Sequence, residues 1–521
     1  MMRFHRYILL LLLIFACADI IAYKPFKPWP LPMDSVDTGV DSIGYCVSLS
    51  ATASTGKNAP FWLYSNRNGK YSPAPYGGTL SLSIGKPALR DARWWDYSFA
   101  VSISGGADGL KTFDSIAEIN PSLISLINPS GYNYNSRLST ALRYSIDECY
   151  AHVRLWCFDI SAGFKRPEYG NNRNIWLDNE FSLSAGSMLW SDNAALLPII
   201  SIGIDKYTSI PFTYGYAEIK GALVHGWFYD GIGPKNTLLH YKFIAGRIGG
   251  KLPVNINYEF HHAAQWGGKS DVYGDLGSTI KDWWLVFGAH EGGVNANEKN
   301  NAVGNHVGSQ NIGIELKLKH WHVNAYWQTL FEDGPVFAPW KALNRYDGLW
   351  GVQISQNTWR FISAIMYEFL NTTDQSGPTH DIDGVVFGGG DSYFTNSIYT
   401  QGWTNKGYVI GVPFIISPII TDSQKVLYNR TMTHHLSITG DIFGFNYLLR
   451  YANSKYYRRE LYSSGVMATN NSILLSVQKM VPQAWNLNFS LSLAADWGDV
   501  YGNTFGAMVT ISRSGLIYKT K

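Results

Sequence analysis

The chain has 521 residues, with 42 Lys and Arg against 39 Asp and Glu, a net charge of +3. Charged residues make up 16% of it, against roughly 25% in soluble domains, while aromatics reach 15% with 19 Trp and 33 Tyr. So mild a charge argues against nucleic acid as a partner. No long apolar run follows the N-terminus, which excludes helical membrane spans.

Arg3 and Arg6 precede the apolar run Tyr7–Ala16, which leads into Ala16-Cys17-Ala18. A basic start, a short apolar stretch and a small-residue site define a secretory signal peptide, residues 1–18. The run is shorter than the roughly 20 residues a spanning helix needs. Ala16-Cys17 also suits a lipidation signal, although bulky Phe15 sits badly in that pattern. Residues 19–42 are Pro-rich and are expected to form an extended periplasmic lead-in. Cleavage leaves Cys46, Cys149 and Cys157, an odd number that permits at most one disulfide; packing as small hydrophobes is expected.

From residue 43 to residue 521, strict alternation dominates. Tyr45, Val47, Leu49 and Ala51 take every second position, as do Tyr97 to Ile103, Val254 to Phe260, Trp485 to Ala495 and Phe505 to Ile511. Alternation in a charge-poor, aromatic-rich chain predicts strands with one face to lipid and one to a wet lumen. The expected fold is all-β: a transmembrane antiparallel β-barrel of about 18 strands. A soluble sandwich or propeller would alternate too, with its apolar face inward; the low charge and the lack of a repeat weigh against it.

Within 312–327 the apolar set moves from even positions (Ile312, Ile314, Leu316, Leu318) to odd ones (Trp321, Val323, Ala325, Trp327). A tight hairpin at Lys319-His320 produces such a phase change. Polar segments 289–311, 371–407 and 452–472 are expected extracellular loops. Trp94-Trp95, Trp283-Trp284 and Trp340 suit interfacial girdles. Residues 111–140 break the alternation and are expected to insert as a short helical plug or loop element. If the odd positions from Cys149 to Cys157 face lipid, then Tyr150, His152, Arg154 and Trp156 put bulk into the lumen.

Chemistry is sparse. His261-His262 and His434-His435 are adjacent pairs, which a strand points to opposite faces, so neither is expected to chelate a metal. No cofactor is implied. There is no Gly-x-Ser-x-Gly elbow, and the acids Glu332, Asp333, Asp381, Asp383 and Asp391 read as solvated loop groups. The protein is not expected to be an enzyme; a hydrolase would require a Ser–His contact on one barrel face. Sugar binding is better supplied, because aromatic rings suit pyranose faces and amides or cations suit hydroxyls. Segment 57–70 offers Trp62, Asn66 and Arg67; segment 391–407 offers Asp391, Tyr393, Asn396, Trp403 and Lys406. The same aromatics would also serve to pack the loops.

Asn58-Ala59-Pro60-Phe61-Trp62-Leu63-Tyr64-Ser65-Asn66-Arg67-Asn68-Gly69 resembles the first-strand motif of the Wzi-like capsule assembly proteins in their Bacteroidetes form. Leu189-Trp190-Ser191-Asp192-Asn193-Ala194 with Leu197-Pro198 and Gln265-Trp266-Gly267-Gly268 are similar to further motifs of that family. So are Asp391-Ser392-Tyr393-Phe394-Thr395-Asn396, Gln401-Gly402-Trp403-Thr404 and Gly411-Val412-Pro413-Phe414. The resemblance spans most of the chain. It implies a barrel of about 18 strands in the outer membrane, occluded by loops and a periplasmic element. It further implies a lectin-like anchor for capsular or exopolysaccharide. Outer-membrane lipid and the barrel assembly machinery are the other expected partners of what would be a monomer. The competing expectation is a diffusion channel, or porin, for small solutes. One departure stands out: the chain ends Tyr518-Lys519-Thr520-Lys521 and not on a terminal aromatic.

Overall fold

In the computed structural model, residues 42–88, 94–109, 140–166, 183–229, 233–292, 302–332, 347–375, 380–382, 385–387, 392–421, 425–457 and 465–519 are described. The expected signal peptide, the lead-in (apart from Ser42), Asp333, Trp340, Asp383, Asp391, and nearly all of the expected insert at 111–140 lie outside them.

Eighteen strands form one sheet: β1 (Ser42–Ser54), β2 (Tyr76–Lys86), β3 (Trp95–Gly109), β4 (Thr140–Leu155), β5 (Phe158–Phe164), β6 (Ile199–Ser209), β7 (Ala217–Trp227), β8 (Leu238–Ile248) and β9 (Val254–Trp266). The second half comprises β10 (Asn305–Lys317), β11 (Trp321–Glu332), β12 (Gly348–Gln356), β13 (Ala364–Asn371), β14 (Thr431–Ile442), β15 (Phe445–Tyr457), β16 (Val466–Val481), β17 (Leu487–Gly498) and β18 (Thr504–Lys519). Each strand pairs antiparallel with its sequence neighbours, and β1 also pairs antiparallel with β18. The sheet is therefore closed and has no free edge.

The alternation read from sequence maps onto two faces. Leu49, Ile103, Ile202, Ile256, Ile314 and Val509 are exposed on the outer surface, whereas Ser50, Ser102, Ser201, Asn255, Asn311 and Met508 are buried inside. In a water-soluble barrel that polarity would be inverted. On β4, Tyr150 and His152 are buried and Arg154 is half-buried, all facing inward as expected, while Cys149 is exposed on the outer face. Trp156 departs from that set: it sits at φ 59° in the two-residue turn to β5 and is exposed. Among the described residues, Cys46, Cys149 and Cys157 form no disulfide.

The connections sort by length to the two ends. Short turns join β4–β5, β8–β9, β10–β11, β14–β15 and β16–β17. Phe443-Gly444 between β14 and β15 has both φ values positive, at 54° and 80°, as the primed turns of two-residue hairpins require. Between β10 and β11, Leu318 N–H donates to Trp321 O, and Ile312, Ile314 and Leu316 oppose Trp327, Ala325 and Val323. The expected phase change is thus a hairpin. Exposed aromatics crowd this end, including Trp94, Trp156, Phe212, Tyr214, Phe443 and Trp485, an arrangement that anchors a barrel at a membrane–water boundary.

At the opposite end the strands are joined by long connections, those after β1, β5, β9 and β13 among them. Two expected loop boundaries shift: residues 305–311 belong to β10, and β15 and β16 extend into 452–472, leaving only 458–465 between them. Trp283 and Trp284 lie not at a strand end but in helix α2 (Ile280–Gly288), which a Thr279–Asp282 capping box starts. That helix lies on the outer wall. Its Trp283 and Phe287 rings pack 5.5 and 5.6 Å from His240, and Lys242 Nζ donates to Phe287 O at its C-terminus.

Candidate functional site

Described residues of three long connections turn into the lumen and meet there. Helix α1 (Phe61–Tyr64) is fully buried and packs on β16, β17 and β18. Its backbone Phe61 N–H donates to Asp496 Oδ2 at 2.7 Å, and Phe61 stacks on Tyr501 and Phe414 at 5.3 and 6.1 Å. Residues 183–198 and 392–416 join it in one apolar cluster with inward residues of β7 to β13 and β15 to β18. The cluster forms a plug, with protein interior where an open barrel would hold water.

Polar side chains fix the plug to itself and to the wall. Glu368 on β13 is fully buried and accepts four hydrogen bonds: from Ser184 Oγ (2.6 Å), Ala185 N–H (2.9 Å), Tyr326 OH (2.5 Å) and His435 Nδ1 (2.7 Å). Asn193 Nδ2 donates to Val409 O, Ser191 Oγ to Gly411 O, Trp403 Nε1 to Leu189 O, and Asn405 Nδ2 to Ala195 O. Gln265 Nε2 reaches Gly402 O, and Tyr399 OH reaches Gly267 O. The short motifs scattered through the sequence are therefore neighbours in space.

Each residue singled out in sequence, Asp391 aside, has a definite place. Trp62, Tyr393 and Trp403 are almost fully buried, with Trp62 against His435 at 5.2 Å and Trp403 against Trp190 at 5.4 Å. Their rings pack within the plug. Asn66 is half-buried and donates from Nδ2 to Ala185 O. Asn396 is half-buried and donates to Asn305 Oδ1 at 3.1 Å; Lys406 lies 4.7 Å over the Tyr229 ring. Arg67 lies beside Tyr71, with its guanidinium 5.4 Å from the ring centroid.

A polar seam runs between residues 66–71 and the β3–β4 wall. A bulge creates part of it: Ser102 opposes Glu148 and Ile103 opposes Ile146, so Asp147 is the extra residue. The bulge changes the strand's phase, which puts Asp147 and Glu148 side by side toward the lumen. Lys70 pairs with Asp147 (3.3 Å), Arg143 with Asp108 (3.1 Å) and Arg166 with Glu148 (3.6 Å). Sequence reasoning missed the seam's acids, because a one-residue bulge has no compositional signal.

Further down the wall, Lys86 pairs with Asp96, Arg154 with Asp159 and Arg247 with Glu218 between neighbouring strands, Lys220 of β7 reaches across β8 to Glu259 of β9, and Arg360 in the β12–β13 turn pairs with Asp441 of β14. His152, Asp159 and Asp205 bring one ligand atom each within 4.8 Å, a donor set a divalent cation could use. Arg154 and Lys165 already pair with those acids. The adjacent histidines divide between faces as expected: His261 bonds Tyr241 and Glu259 inside, and His262 bonds His306 outside.

Ser–His contacts do occur. Ser437 Oγ lies 3.0 Å from His435 Nε2, whose Nδ1 meets Glu368, and Ser98 Oγ lies 3.0 Å from His152 Nδ1, whose Nε2 meets Asp159. Both serines are buried, Ser437 completely, so neither hydroxyl presents a face to an incoming acyl group in this conformation.

The closed sheet, lipid-facing belt, aromatic rim and two-ended loop pattern define an outer-membrane β-barrel protein. Comparison with solved structures agrees. The chain is similar to Wzi of Escherichia coli, described as an outer-membrane protein involved in group 1 capsule assembly and a carbohydrate-binding β-barrel. The match has 14% identity, 95% of this chain and 94% of that one covered, and a TM-score of 0.51. It also matches OccAB2 of Acinetobacter baumannii at 8% identity, 93% and 100% covered, TM-score 0.46. OccK7 (OpdD) of Pseudomonas aeruginosa follows at 8%, 92% and 100%, TM-score 0.43. At these identities the likeness speaks to fold alone. No family model and no curated protein matches the chain.

Proposed function

We propose that this protein is a lectin-like surface anchor that binds exported capsular or exopolysaccharide, and neither a solute channel nor an enzyme. The occluded barrel is the observation that supports the reading. A diffusion channel needs a continuous polar path and a field that acts on the permeant. Here an apolar plug joins most of the wall, and lumen charges such as Lys86–Asp96, Arg154–Asp159 and Arg247–Glu218 are matched across adjacent strands. The likeness to a carbohydrate-binding barrel supports the same reading. Trp62, Tyr393 and Trp403 hold the frame, while half-buried Asn66, Arg67, Asn396 and Lys406 supply contacts for sugar hydroxyls and acidic groups. Asp391 belongs to the same proposed set. The protein works as a monomer in outer-membrane lipid, placed there by the barrel assembly machinery.

The test is deletion of the gene, with cell-bound and shed polysaccharide assayed separately. Polymer should still be made but be released into the medium. Unchanged retention in a strain lacking a second copy would overturn the reading, and a large steady conductance in planar bilayers would replace it with a porin.

A further inference from the structure

We infer that the seam beside residues 66–69 recognises the carboxylate of an acidic sugar, with Arg67 as the selecting cation. The inference rests on the polysaccharide reading above and narrows it to polymers bearing hexuronic acids.

The argument begins from charge matching. Lys70, Arg143 and Arg166 each have a carboxylate within 3.6 Å. Arg67 has none among the described residues. Its guanidinium lies over the Tyr71 ring, and Arg450, a like charge, repels it. Burial pulls the Arg67 pKa down, with only Tyr71 opposing. A half-buried guanidinium holds five N–H donors in a planar fork that matches a carboxylate edge. Left without a counter-charge it is costly to desolvate, and a bound anion offsets that cost.

The neighbours choose among anions. Asn66 Oδ1 and Asn68 Oδ1 are buried acceptors with no hydrogen-bond partner. Both residues hold left-handed backbone, at φ 54° and 53°, followed by Gly69 at 62°. Asn enters this region more readily than other residues with a side chain, and these positions set the tight turn that carries Arg67. Unsatisfied acceptors call for donors, and a sugar ring presents hydroxyls. A hexuronic acid carries a carboxylate for the fork and hydroxyl donors for the amides on one ring. Inorganic phosphate matches the cation but supplies much less to the two acceptors.

The full-length protein in detergent should be titrated calorimetrically with tetragalacturonate and with its carboxyl-reduced counterpart. The acidic tetramer is expected to bind at least about tenfold more tightly, as a charge-assisted contact implies, and the margin should shrink with added salt. Arg67→Gln should abolish the preference, and Arg67→Lys should retain part of it, with heat-modifiable gel mobility confirming that both variants fold. Equal binding of the two oligomers, no binding of the acidic one, or an intact preference in Arg67→Gln would overturn the inference. So would phosphate that competes as well as the acidic tetramer. If cells carrying Arg67→Gln keep their polymer while the deletion strain sheds it, this inference falls and the anchoring reading stands. Retention in the deletion strain removes the anchoring reading instead.

Discussion

Glu368 shows what a buried charge does here. Its carboxylate meets donors from the plug and from strands β11 and β14, so the anion is satisfied on every side. Removing it in Glu368→Ala strands those donors, at a cost of about 3–5 kcal/mol for breaking such a buried cluster. We expect a lower unfolding midpoint and faster proteolytic cutting within residues 183–198; an unchanged cutting rate would show that the plug does not depend on this hub. Asp347 gives a pH dependence. It is fully buried just before β12 and accepts from Asp374 N–H, Gln375 N–H and Tyr393 OH. Burial pushes its pKa up to about 7 from the ordinary 3.8, with Asp374 adding to the rise and the three hydrogen bonds opposing it. The unfolded group therefore loses its proton first. The protonated group's contribution is complete below about pH 4 and is lost as pH rises through about 7. Thermal stability should fall from pH 5 to pH 8, and Asp347→Asn should flatten that slope.

Among the elements, strands were legible and their interruptions were not. Lipid on one face forces a period of two, so Leu475 and its cross-strand partners Leu449 and Leu493 announce themselves. Leu475→Arg places a charge in that belt and should cost about 2–4 kcal/mol in urea unfolding with phospholipid vesicles. The same change at lumen-facing Ser490 should cost much less, and equal losses would mean the faces are misassigned. The bulge at Asp147 escaped notice because one added residue leaves composition untouched. Helix α2 was hidden because a nine-residue element with Trp283-Trp284 at its centre carries the composition of a girdle. The long plug segments read as sugar-facing loops for a related reason. Aromatics next to Asn and Lys describe a binding platform and a packed turn equally well, and only the covering partner decides. Trp62 is covered by His435 and Arg450, neither of which lies near it in sequence.

At the scale of the whole molecule, a barrel this wide would enclose water unless its loops folded inward. The filling comes from connections after β1, β5 and β13, whose residues lie hundreds of positions apart in the chain. The short motifs signalled that filling in sequence without revealing that they meet. Their meeting also imposes a calendar on assembly. Thr55 N–H bonds Phe505 O, Gly56 N–H bonds Thr504 Oγ1, and Phe61 N–H bonds Asp496. The first connection of the chain is thus moored to its last two strands. It has nowhere to dock until those strands are in place, and the strands close on β1 at the same stage. A chain cut short before β17 lacks both the seam's support and the closing pair, so partly made protein has no finished surface to offer a polymer.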